Sequence, residues 1–270
     1  MGASVGHYKN KVTKLPEGFN SLSSIYGEDN ILTKVGNPVA LFYGYKTEGI
    51  FASDAEARAA GPNGYLYTVD NAGNPHEFLA GDVHFMDLNK DGKITEADKT
   101  VIGDPNPDIY GNIFASVNWK HLSLDLGFNY SLGNDVYNYQ RSVLNAGSNF
   151  YNQQVSEIGR WRYEGQQAEL PRANFGDPMG NNRFSDRWIE DGSYLRLKSL
   201  RLTYRVPIPG TWDWLMGLTI WAEAQNLFTA THYKGSDPEF SLGNSVFYQG
   251  IDNGNMAHSR AFFAGLKINL

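Results

Sequence analysis

The sequence predicts an all-β protein built from antiparallel strands long enough to cross a lipid bilayer. Three observations predict it. Apolar and polar side chains alternate with a period of two over several runs, glycine and aromatic residues are abundant, and the connections are short at one end of the strands and long at the other. The 270 residues include 16 Tyr, 15 Phe, 6 Trp and 29 Gly, a mixture that suits sheets and turns better than helices.

The first expected strand is VALFYGYKTEGIF, from Val39. In NIFASVNW, Ile113, Ala115, Val117 and Trp119 share one face, with Phe114 interrupting the polar side. HLSLDLGFNYSL is cleaner: Leu122, Leu124, Leu126, Phe128, Tyr130 and Leu132 face one way, and His121, Ser123, Asp125, Gly127, Asn129 and Ser131 the other. Only Lys120 and His121 separate these runs, which predicts a tight antiparallel hairpin, although neither is the Gly or Asn usually favoured there. YLRLKSLRLTYRV changes apolar phase between Leu197 and Leu200, the mark of a bulge or of a strand that starts late. MGLTIWAEAQ alternates through Met216, Leu218, Ile220, Ala222 and Ala224, and RAFFAGLKINL through Phe262, Ala264, Leu266, Ile268 and Leu270. Tilted strands of about 9–11 residues with one apolar face span a bilayer.

A soluble β-sandwich shows the same alternation, so the connections decide. With the last strand, 259–270, running down to the periplasm, the upper connections are 52–111, 133–193 and 228–258. The lower ones are the Lys120–His121 turn and PIPGTWDWL. Short turns below and long loops above are the asymmetry of an outer-membrane barrel, whereas connections that long are unusual in a compact soluble domain. Trp212 and Trp214 fall in the lower turn, where an interfacial aromatic belt belongs. Aromatics capping a soluble core are the competing reading.

Composition excludes other classes. The net charge of −6, without a Lys/Arg cluster, argues against nucleic acid as a partner. Cysteine is absent, which suits an oxidising compartment but also many cytosolic proteins. No stretch approaches 18 apolar residues, so no transmembrane helix is expected, and MGASVGHYKNKVTKL lacks the apolar centre of a signal peptide.

One motif carries metal chemistry. In DLNKDGKITEAD, residues 87–98, Asp87, Asn89 and Asp91 offer side-chain oxygens, Gly92 allows the sharp turn, Lys93 offers its carbonyl and Asp98 closes the set. This is the ligand order of a Ca²⁺ loop. Asp98 stands where an EF-hand has a longer bidentate Glu, GDVHFM before the loop reads as extended, and a Thr95–Asp98 capping box supports only about two turns after it. The motif is closer to a dockerin-like loop, and its calcium would be structural. An Asx-rich turn satisfied by backbone N–H groups is the alternative.

Catalytic signals are weak, and no enzyme is expected. GASVG has nucleophile-elbow spacing around Ser4 but no strand before it. The six histidines show no zinc spacing. Asp186, Glu190 and Asp191 near Trp188 suggest a glycosidase pair, but partners Arg183 and Arg187 stand close by. Phe150, Tyr151, Trp161 and Tyr163 lie in a long connection, suited to sugar stacking, to contact with a lid protein or to plain packing.

Several blocks in fixed order carry a resemblance: FYGYKTEGIF, GDVHFMDLNKDGKITEADKTVIGDPNPDIYGN, NDVYN, NRFSDRWIEDGSYLRLKSLRLTY, AQNLFTATHYKGSDPE and an aromatic-rich closing strand. From about Gly36 onward the chain resembles the C-terminal part of SusC-like (RagA-type) TonB-dependent outer-membrane receptors of Bacteroidetes. The resemblance implies the last six or seven strands of a 22-stranded barrel that imports glycans or peptides. It also implies outer-membrane lipid around the barrel, a SusD-like surface lipoprotein above it, and energy delivered by the TonB complex through a plug domain. Residues 1–270 contain no plug, and the strands are fewer than the eight of the smallest membrane barrels, so a piece not competent alone is expected. Gly265, Ile268 and Leu270 resemble the terminal assembly signal of such barrels, with Leu270 replacing the usual aromatic. The alternative of another class is a soluble, calcium-stabilised carbohydrate-binding β-module or hydrolase.

Overall fold

The computed structural model describes residues 1–19, 21–24, 30–70, 73–209, 214–239, 242–243 and 245–270. Six strands form one antiparallel sheet: β1 (Gly2–Gly6), β2 (Ile109–Trp119), β3 (Leu122–Leu132), β4 (Tyr194–Val206), β5 (Gly217–Thr231) and β6 (Ala261–Asn269). Each pairs with its neighbour in chain order. No helix among the described residues is long and apolar enough to cross a membrane.

Register turns sequence alternation into two continuous faces. Leu124 pairs with Leu202, Leu202 with Ala222, and Ala222 with Ala264; one row up, Leu126, Leu200, Ala224 and Phe262 align in the same way. Because directly paired residues project to the same side, these rows merge into one apolar surface. The opposite side carries Asp125, Arg201 and Glu223 in a single row. The phase change at Leu197 is a bulge: Phe128 pairs with Leu197 and Gly127 with Ser199, leaving Lys198 unpaired and returning Leu197 to the apolar face.

Among the described residues nothing forms a second layer over the apolar face. Val117, Leu202, Ile220 and Leu266 remain 56%, 44%, 48% and 60% exposed, and Leu122, Leu124, Leu126 and Phe128 are only partly covered by their neighbours. A sandwich would have buried this surface. An apolar face of this extent is stable against lipid, not water.

The buried core sits instead in the connections. One cluster gathers Tyr45, Phe51, Leu66, Phe78, Val83, Phe85 and Met179; the other gathers Ile31, Phe42, Tyr137, Phe184, Trp188 and Ile251. The second cluster draws on all three segments between β1 and β2, between β3 and β4, and between β5 and β6, so the long connections fold together as one packed body.

The strand expected from Val39 is corrected by this arrangement. Leu41–Gly44 pairs with Ile31–Lys34 and Thr100–Gly103 in a separate four-stranded sheet, and Leu41 and Phe42 are both buried. Adjacent residues buried on opposite sides mark a strand covered on both faces, which a lipid-facing strand is not. Its place in the large sheet is taken by β1, whose glycines accept aromatic rings from β2: a Cβ on Gly2 would overlap Phe114, and one on Gly6 would overlap Tyr110.

The hairpin turn is as tight as expected, with Trp119 paired to Leu122 across Lys120 and His121. Lys120 adopts φ 55°, an unusual conformation for a non-glycine residue, and its ammonium lies 5.1 Å from the Trp119 ring centroid. Trp119 and Trp214 are exposed at this end of the sheet, as an interfacial belt requires; Trp212 lies outside the described residues.

Candidate functional site

The calcium-type loop is wound by its own side chains. Asp87 accepts the N–H groups of Asp91 (3.2 Å) and Gly92 (2.7 Å), Asn89 Oδ1 accepts that of Asp91 (2.9 Å), and Asp91 accepts that of Lys93 (2.8 Å). Lys90 and Gly92 supply the positive φ angles that let the chain double back. Asp98 is fully buried: Oδ1 accepts Leu88 N–H at 3.0 Å, and Oδ2 accepts Thr95 N–H at 2.9 Å. The capping box is present but caps a single 3₁₀ turn, Glu96–Asp98, shorter than the two turns expected. Lys93 begins a short strand that pairs in parallel with Tyr67–Val69.

This donor set is all hard oxygen, which suits Ca²⁺; the Asp87 oxygens, each accepting one N–H, keep a further lone pair, whereas each Asp98 oxygen also accepts a second, longer bond of 3.4 Å, from Asn89 N–H or Thr95 Oγ1. Among the described residues no three His, Cys, Asp or Glu side chains converge as they do around an ion. The amide of Asn89 and the carbonyl of Lys93 would have to complete a shell. The Asx-turn bonds describe how the loop is held.

The suspected glycosidase carboxylates have structural partners. Asp186 accepts from Thr47 N–H and Oγ1 (3.2 and 2.7 Å), Glu190 pairs with Arg141 (2.9 Å) and accepts Lys234 N–H (2.8 Å), and Asp191 accepts Ser193 N–H (2.8 Å). Ser4 lies within β1, its hydroxyl accepting from Asn112 (3.1 Å). The loop aromatics divide: Trp161 packs over Gly81, whereas Phe150 is 92% exposed and lies tilted against Phe175, 5.0 Å between centroids.

Three polar centres escaped sequence reading. Buried Asp82 receives a two-pronged bond from Arg172 (2.9 and 2.8 Å) and an amide from Asn181 (2.9 Å). Arg187 lies over the Trp188 ring, 4.7 Å from its centroid, and burial lowers its guanidinium to about 10. The third ties the β5–β6 connection to the sheet. Asp237 accepts from Arg196 of β4, from Glu239 N–H (2.9 Å), and from both the backbone N–H (2.9 Å) and Nδ1 of His258 (2.8 Å), while Arg196 also pairs with Glu239 at 2.9 Å. Burial raises the Asp237 carboxyl, but these bonds outweigh it and hold it at about 2. Partners 41 residues apart leave no local pattern to find.

Known proteins share this arrangement. The TonB-dependent receptor P3 of Formosa agariphila is 29% identical over 276 residues, covering 96% of this chain and 25% of its own length. The TonB-dependent receptor SusC of Bacteroides thetaiotaomicron is 26% identical over 215 residues, covering 76% of this chain and 19% of its own. The chain is a relative of the SusC-like TonB-dependent receptors. As such a relative it belongs to the outer membrane, and its large sheet is a segment of an antiparallel transmembrane β-barrel.

The solved RagAB peptide transporter superposes on 98% of this chain with a TM-score of 0.72 at 23% identity, over 26% of the solved chain. The RagAB peptide importer in its open-open state gives a TM-score of 0.71. The chain thus spans about a quarter of the length of the relatives it matches. No family model matches the sequence.

Proposed function

We propose that this chain forms part of a TonB-dependent outer-membrane importer of glycans or peptides, and is not an enzyme. The observation that carries the proposal is the uncovered apolar face of the six-stranded sheet, joined on one side to a folded body of long connections. That is the build of a barrel wall carrying an extracellular assembly. Relatives named as TonB-dependent receptors support it, and a neighbour named as a peptide transporter supports the peptide branch. In this reading a SusD-like surface lipoprotein caps the long connections, and the TonB complex acts through a plug domain outside residues 1–270. Disrupting this coding segment in its host should abolish growth on the imported oligomer while growth on the free monomer persists. Unchanged growth on every oligomer supplied would refute the importer reading.

We also propose that Asp87, Asn89, Asp91, the Lys93 carbonyl and Asp98 hold a structural Ca²⁺. The bound ion would draw Asp87, Asp91 and Asp98 of the loop towards one centre, neutralise them and rigidify the β1–β2 connection. Chelation should then lower the thermal midpoint of the detergent-solubilised protein, with recovery on adding Ca²⁺ but not Mg²⁺. An unchanged midpoint would leave the Asx-turn as the whole account.

A further inference from the structure

A polar cleft of about 600 Å³ opens between the β3–β4 and β5–β6 connections, and nothing above uses it. Its wall is held by a buried amide. Asn145, 2% exposed, donates to Gln154 Oε1 (3.1 Å) and accepts from Ser156 Oγ (2.7 Å), so both ends of its side chain are fixed. Two cations line the same space. Arg141 commits Nη1 to Glu190 (2.9 Å) and to the Arg187 carbonyl (3.0 Å), leaving Nε and Nη2 with no protein partner among the described residues. Lys234 is anchored by its backbone N–H to Glu190 (2.8 Å), and its ammonium makes no ion pair among the described residues.

Glu190 neutralises its surroundings from behind. Its Oε1 takes Arg141 and its Oε2 takes Lys234 N–H, so both oxygens have partners within the protein, and Glu190 is not among the residues that line the cleft. The residues that line it bring a guanidinium, Arg141, which also lies 5.6 Å from the Trp188 ring centroid, the Lys234 ammonium, the Gln154 and Gln167 amides and the carboxylate of Glu169. A guanidinium edge beside an ammonium binds a carboxylate with charge-assisted bonds. Side-chain amides match the alternating donors and acceptors of a peptide backbone. Among the described residues no aromatic ring lines the cleft, so they supply no stacking platform of the kind that sugars favour.

We propose that this cleft is a binding site for the carboxylate of an oligopeptide, with Arg141 and Lys234 as its anion-binding residues. The assignment rests on the importer reading and names the ligand chemistry within it. Titration calorimetry of the detergent-solubilised protein tests it, with the hexapeptide Ala-Gly-Asp-Gly-Ser-Glu as probe beside its C-terminally amidated Asn/Gln counterpart and a galacturonate oligomer. Lys234→Gln is the informative variant because its structural bond is made by the backbone; Arg141→Gln also loosens Glu190, so it serves as a second variant only where the melting profile is unchanged. The acidic peptide should bind about tenfold more weakly to Lys234→Gln, a loss of about 1.4 kcal/mol, and the uncharged counterpart should bind weakly to both forms.

Equal binding to both forms, or no binding to either, would overturn the assignment. Loss confined to the galacturonate oligomer would overturn it too, by giving the carboxylate to a saccharide. Cells separate this failure from that of the parent reading. Peptide uptake that needs this chain but ignores Lys234→Gln sinks the cleft alone, whereas uptake of no oligomer through this chain sinks the importer.

Discussion

Removing the Asp237 carboxylate should release the β5–β6 connection from the sheet. Arg196 and Asp237 are each 3% exposed, so Asp237→Ala strands a buried guanidinium and deprives the Glu239 and His258 N–H groups of their acceptor. Losing one partner of a buried pair costs about 3–5 kcal/mol. Glu239 stays 2.9 Å from Arg196, so the lower end, about 3 kcal/mol, applies. The connection's local opening should then rise roughly a hundredfold, because about 1.4 kcal/mol is a factor of ten.

Holding the carboxyl at about 2 rather than near 3.8 contributes about 2 kcal/mol by the same linkage. The folded-state value is depressed. That contribution is therefore complete above pH 4 and disappears as the pH falls through 2. Limited proteolysis within 232–260, in detergent with protease dilute enough for cleavage to track opening, reads the effect directly. A cleavage rate for Asp237→Ala within threefold of wild type at pH 7 would refute the reasoning.

Other expectations follow from the same structure. Leu200→Arg, near mid-strand on the apolar face, should destabilise the folded barrel by about 2–4 kcal/mol in lipid, while Ser199→Arg on the opposite face should change its unfolding midpoint little; urea unfolding from vesicles compares them. Gly265→Val should impair assembly, since a Cβ there overlaps the Trp221 ring, and heat-modifiable gel mobility reports it. Glu157→Gln should stabilise the connections at neutral pH, because burial raises the Glu157 carboxyl and its folded-state contribution is lost as pH rises through that raised value; the gain should vanish in acid, as a melting series across pH would show.

How much was legible depended on whether the physics was local. Period-two alternation made β3 readable to within one residue, 121–132 against Leu122–Leu132, and the break between Leu197 and Leu200 gave away the bulge. The upper connection at 133–193 is the stretch between β3 and β4 in the structure. β1 was missed because Ala3 and Val5 are too few and too small to alternate visibly, its fit depending on rings from β2 settling over Gly2 and Gly6. Leu41 and Phe42 misled for the opposite reason, since an apolar run reads alike whether lipid or protein covers it. The Asx-turn loop could be read because its donors and acceptors lie within twelve positions. The centres at Asp82 and Asp237 could not, because each joins segments that only the folded connections bring together.

The account depends most on lipid meeting the apolar side of the sheet, and the cysteine-free sequence makes that directly measurable. Single cysteines placed in turn from Leu122 to Asn129, spin-labelled and reconstituted in vesicles, report collision with oxygen from the lipid and with a water-soluble nickel complex. Oxygen accessibility should peak at Leu122, Leu124, Leu126 and Phe128 and nickel accessibility at Ser123, Asp125, Gly127 and Asn129. Uniform nickel accessibility at all eight positions, or none to either agent at the four apolar ones, would contradict it.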